Sequence, residues 1–144
     1  MSCDEDEALW FKFSRSFKPS TDSTVRRRRT WRVLLVHHDH EDLNIDDGDG
    51  NRGIILPGSN RILIDASRSV RVIQATALHE IAHAVLYDAW PADVPETKAK
   101  IDLAEAIVHS LDHSLNRIAR PQWPPCPPDA QAIIKSARKK RPRR

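Results

Sequence analysis

The stretch "RILIDASRSVRVIQATALHEIAHAVLYD", residues 61–88, decides the fold, because a short apolar run gives way within it to a helix. The helix is predicted over residues 67–90. Ser67 or Ser69 caps its start by accepting a backbone N–H bond, and Pro91 stops it. At ~100° per residue, Leu78, Ile81, Ala82 and Val85 share a core stripe, with His79, Glu80 and His83 together on its flank. The five residues His79-Glu80-Ile81-Ala82-His83 then read in two ways: a metal site, or a buried helix that carries two histidines.

Upstream, "RGIILPGSNRILID" (52–65) sets two apolar runs around Pro57-Gly58-Ser59-Asn60. This is a hairpin signal, since proline fixes φ and Gly or Asn supplies the positive φ of a tight turn. "TWRVLLVHH" (30–38) is β-branched and apolar and reads as a strand, and the acidic stretch that follows it, through Asn51, reads as a loop. Downstream, "PADVPE" (91–96) is a linker to a second helix from Thr97 to Ile118. Leu103, Ile107, Val108, Leu111, Leu115 and Ile118 form the apolar side of that helix. Asp102, Glu105, His109, Asp112 and His113 fall on the opposite arc. "RPQWPPCPP" (120–128) should run extended, and "DAQAIIKSARKK" (129–140) allows a short helix.

This order suits a small α+β domain, a short antiparallel sheet or hairpin packed on two helices. The expected organisation is a disordered segment at 1–29, a folded domain at 30–119, and a Pro-rich, basic tail at 120–144. The aromatic cluster "LWFKF" falls in the first of these.

Two histidines at i and i+4 on a helix lie ~5–6 Å apart on one face, so both imidazoles reach one ion. Zinc accepts imidazole nitrogens in a tetrahedral shell and, in catalytic sites, keeps one position for water. Glu80, next to the first histidine, is angled to contact that water without binding the metal. It would act as general base while water attacks a carbonyl, then pass the proton to the leaving amine. Against a purely structural helix stands the cost, several kcal/mol in order of magnitude (~2–7), of burying a carboxylate without metal or strong hydrogen bonds.

With these residues in place, 61–88 resembles the minimal zincin-like metallopeptidase domains of phage and bacterial genomes. In those a strand ending I-x-I-D and a small-residue turn lead into the HExxH helix. The likeness spans residues 52–115 and is most specific at 62–86. It implies a zincin-like fold, zinc as cofactor, His79 and His83 as ligands, Glu80 as base, and a hairpin strand beside the helix that holds an extended peptide. In the gluzincin type a glutamate on the following helix completes the shell, and this maps best to Glu105 in "AEAIVHSL". The sequence has neither an NExxSD motif nor the H-x-x-G-x-x-H of metzincins. The third ligand therefore stays open between Glu105 and His109, which is also a candidate donor to the developing oxyanion. Asp102, Glu96 and His113 are the remaining choices. Asp65 is expected to cap the turn or to orient a ligand histidine, and Tyr87 to pack.

Other patterns carry less. In "HHDHED" (37–42) a strand would separate His37 from His38 and His40, so only adventitious metal binding is expected. "DLNIDDGDGNRG" fails the calcium-loop pattern in either register, starting at Asp42 or at Asp47. Cys3 and Cys126, the two cysteines, lie far apart with no partner at metal-site spacing. The acidic start has no apolar run of a secretory leader, and no stretch approaches the ~20 apolar residues of a membrane span. A cytoplasmic setting without membrane contact is expected.

The net charge of +3 is uneven, with "RRRR" at 26–29 and "RKKRPRR" at 138–144. Two function classes follow. One is a zinc-dependent metallopeptidase-like hydrolase acting on a protein or peptide. The other is a non-catalytic zincin-fold binding module whose basic tails contact nucleic acid or a partner protein.

Overall fold

The computed structural model describes residues 7–20, 22, 24–44, 52–90, 97–118 and 122–140, with 111–118 and 140 as backbone only. A four-stranded sheet forms its base: β1 (Glu7–Phe17), β2 (Arg27–Val36), β3 (Gly53–Leu56) and β4 (Arg61–Asp65), in the order β1-β2-β4-β3. The hairpin expected at 52–65 is β3 and β4, with Ile54 opposite Leu63. Its turn is a single 3-10 turn, Pro57–Ser59, and Asn60 takes the left-handed conformation at φ 55°. Of the two residues able to supply a positive φ, Asn60 does so.

The sheet is mixed, not antiparallel as expected. β2 and β4 run parallel, with Val33 beside Ile62 and Leu35 beside Ile64. After β2 the chain crosses to the outer edge, forms β3, and returns as β4 into the centre. Val33–Val36 and Ile62–Ile64 are buried on both faces. Such unbroken apolar runs are what a covered central parallel pair requires.

Three helices complete the fold: α1 (Val70–Ala89), α2 (Lys98–Ile118) and α3 (Pro128–Lys140). On one face of the sheet, Trp31, Val33, Leu35, Ile62 and Ile64 form a core with Ile73, Ala77 and Ala84 of α1 and with Ala130, Ile133 and Ala137 of α3. On the other face Leu43, from a 3-10 turn at Glu41–Asn44, covers Leu34, Val36 and Leu63.

Two segments expected to be unstructured supply this core. Residues 7–17, placed in a disordered 1–29, form edge strand β1 and bury Ala8 and Trp10. The register shifts between Leu9 and Phe11, a bulge that puts Trp10 and Phe11 in succession and breaks the period-2 pattern a strand normally shows. At the other end, residues 120–144 are not simply a tail, because α3 docks on the sheet. Trp123 stacks on Trp10 at 5.3 Å between ring centroids, and Trp10 Nε1 donates to Pro124 O at 3.0 Å. Cys126 packs against the same core, and burial pushes its thiol up, so it is a packing residue.

Ser69, not Ser67, caps α1 by accepting from Val72 N at 3.3 Å. Ser67 instead donates its backbone N–H and hydroxyl to buried Asp65, which Arg68 Nε also reaches at 2.9 Å. Asp65 thus caps the turn, the first of its two expected roles. The buried line of α1 is Ile73, Ala77, Glu80, Ala84 and Asp88, whereas Leu78, Ile81, Ala82 and Val85 are half-buried. The helix presents its small residues to the sheet, and Gly53 permits the approach. A Cβ on Gly53 would sit 2.5 Å from Thr76 Cγ2 and 3.2 Å from Glu80 Cγ.

At the far end of α1, Asp88 is buried and accepts from Arg29 Nη1 at 2.6 Å and Trp31 Nε1 at 2.8 Å. Tyr87 packs edge-on against Trp31, as expected of it. α2 then packs on α1, with Val108 fully buried. Leu103, expected on its apolar side, is exposed, because the face that meets α1 carries Glu105 and Val108. The linker 91–96 and the side chains of Leu111, Asp112, His113, Leu115 and Ile118 lie outside the described residues, as do Cys3, residues 45–51 of the acidic loop and residues 141–144.

Candidate metal centre

Two helices build the site. His79 and His83 project from the middle of α1, one turn apart, with ring centroids 4.9 Å from each other. Glu105 reaches them from the second turn of α2, its Oε1 3.5 Å from His79 Nε2 and its Oε2 3.1 Å from His83 Nε2. One donor atom from each of the three residues falls within 4.8 Å of the others. Among the described residues no other group of three metal-ligating side chains converges in this way.

The donor set is of a kind that holds divalent cations, zinc among them. Two imidazole nitrogens and one carboxylate oxygen are ligands zinc accepts at ~2.0–2.1 Å, and a tetrahedron of that size has edges of ~3.3–3.4 Å. The histidine–carboxylate separations, 3.5 and 3.1 Å, run to different oxygens of Glu105, and one donor atom from each of the three residues lies within 4.8 Å of the others. The cluster has access to solvent, since the Glu105 side chain is half exposed while those of His79 and His83 are largely covered.

Glu80 does not sit on the flank of the buried line, as expected, but within it, beneath β3. Its side chain lies against Gly53 of the edge strand, one residue along the helix from His79.

His109, the runner-up third ligand, lies one turn beyond Glu105, exposed, with its ring 6.0 Å from that of His79. It borders the site without joining the converging group. Asp102 is turned away and pairs with Lys98 at 2.9 Å. Glu96 and the side chain of His113 lie outside the described residues. His37, His38 and His40 occupy a turn rather than a strand, closed by the His40 N–H donating to His37 O. His40 pairs with Glu7 at 3.3 Å, so the three do not gather on one ion. The Asp88 cluster has one signal in the sequence, an acid one residue from the end of an apolar helix.

Profiles of known protein families, curated proteins and solved structures contain no match to this chain. No helix among the described residues is long and apolar enough to cross a membrane.

Proposed function

We propose that this chain is a zinc-dependent hydrolase of the metallopeptidase type, with His79, His83 and Glu105 holding the ion and Glu80 acting as general base. The observation that carries the reading is the convergence of three donor atoms, from an HExxH helix and its neighbour, within 4.8 Å. Bound zinc would lower the pKa of a water ligand and polarise a carbonyl. Glu80 would take the proton from that water as it attacks, and return it to the leaving amine. β3 ends the sheet beside Glu80, and among the described residues no strand pairs with its outer edge, where an extended peptide would add and present its scissile bond to the ion. The edge-strand position of β3 and the zincin-like sequence of 61–88 both support a peptide as substrate.

The test is metal analysis of purified protein before and after zinc reconstitution, beside turnover of an unstructured protein substrate. One zinc per chain is expected. Glu80→Gln should keep the ion and lose about 10²–10⁴ in turnover, the usual share of a general base. Failure to bind zinc after reconstitution would overturn the reading.

A further inference from the structure

The "RRRR" run at 26–29 is not part of a tail: its last three residues open β2 and its first pairs with β1. Side chains alternate across a strand, so β2 sends Trp31 and Arg29 inward, and Arg28, Thr30 and Arg32 to the opposite face of the sheet. β1 pairs with β2 in the register Lys12–Arg32, Ser14–Thr30 and Ser16–Arg28, which places all six on that outer face. All six are exposed. Arg26 extends the row, its guanidinium donating to Ser16 Oγ at 3.2 Å and to Ser16 O at 3.4 Å.

The two faces treat their cations differently. On the helix-covered face Arg15 and Arg29 are also cross-strand neighbours, and the chain supplies a buried carboxylate, Asp88, to both. Arg61, on the outer face beyond Arg32, is matched by Glu7 and Asp42. Lys12, Arg26, Arg28 and Arg32 have no carboxylate within ion-pair distance among the described residues. Like charges placed directly opposite, as Lys12 and Arg32 are, destabilise a sheet unless something external compensates.

We infer that the outer face of the β1–β2 ribbon is a binding strip for the phosphate backbone of a nucleic-acid duplex. Four cations would neutralise phosphates, and the hydroxyls of Ser14, Ser16 and Thr30 would donate to phosphate oxygens. Among the described residues the strip carries no aromatic stacking surface, which selects a duplex over a single strand. Single-strand platforms need exposed aromatics, whereas Trp10, Phe11, Phe13 and Trp31 all pack into the core on the other face. The strip lies across the sheet from the metal centre and does not depend on the hydrolase reading.

The test is fluorescence anisotropy of the full chain with a labelled duplex of mixed sequence, titrated across a salt series. Binding should be sequence-independent, with a log–log salt slope of about −3 to −4 for four phosphate contacts. Arg28→Gln with Arg32→Gln should reduce that slope by about two and weaken binding at least ~10-fold at low salt, with unchanged circular dichroism. Replacing Arg141, Arg143 and Arg144 by Gln should leave most of the affinity. Three results would overturn the inference: no duplex binding at low salt, binding lost with the three C-terminal arginines but indifferent to Arg28 and Arg32, or binding to phosphatidylserine vesicles in preference to duplex.

Discussion

At the scale of single residues, the proposed metal centre distinguishes two candidate third ligands one helical turn apart. Glu105 touches both histidine rings, whereas His109 only borders one. Changes one shell away from a metal weaken binding by about 10–100-fold, so loss of a direct ligand should exceed that. Glu105→Gln is therefore expected to weaken zinc binding more than ~100-fold in competition with a chromophoric chelator, and His109→Ala by only a few-fold. A larger loss in His109→Ala than in Glu105→Gln would make His109 the ligand instead. Asp88 offers a contrast, a buried acid with a structural task. Truncating it strands Arg29 and the Trp31 indole N–H, and removal of one partner of a buried pair costs about 3–5 kcal/mol. Asp88→Ala should lower the thermal midpoint by roughly 6–15 °C while leaving zinc stoichiometry intact.

Among the elements, the hairpin β3–β4 and helix α1 behave as the local sequence says they should. The turn residues Pro57 and Asn60, the cap at Ser69 and the helical spacing of 70–89 act between near neighbours in the chain, so they are visible without the fold. Their mutual distance is another matter. Gly53 and Gly58 both sit in the hairpin, yet a methyl on Gly53 would strike Thr76 and Leu63 O, while one on Gly58 meets nothing within 4 Å. Gly53→Ala should destabilise by about 1–3 kcal/mol through overpacking against α1. Gly58→Ala should be neutral or stabilising by up to ~1 kcal/mol, because it restricts only the unfolded chain. Urea titration of the pair checks both signs. Because Gly53 also sets the distance from β3 to Glu80, its variant should lose turnover beyond the loss of stability.

For the whole molecule, the core is closed by both ends of the chain. Trp10 from β1 and Trp123, Ile133 and Ala137 from the C-terminal segment seal the sheet that residues 30–119 would otherwise leave open. A fragment of 30–119 should therefore fail to give the cooperative thermal transition of residues 1–144, as followed by calorimetry. Zinc at about 100 times its dissociation constant should add ~2.7 kcal/mol to the intact chain and raise its midpoint, an effect absent from His83→Ala. The HExxH pair, the hairpin and the three helices were legible in the sequence because each rests on periodicity or turn chemistry within a few residues. β1 was hidden by its bulge, and the docking of α3 by the prolines before it. The parallel seating of β4 beside β2 was hidden for a different reason: any apolar strand fits that slot locally. Which acidic side chain reaches the histidines depends on which face of α2 meets α1, and the apolar pattern of α2 alone predicts another face, with Leu103 inside. Segments distant in the chain compete for the same buried surface, and that competition settles who neighbours whom. It brings Glu105 to the histidines and aligns Lys12, Arg28 and Arg32 on one open face.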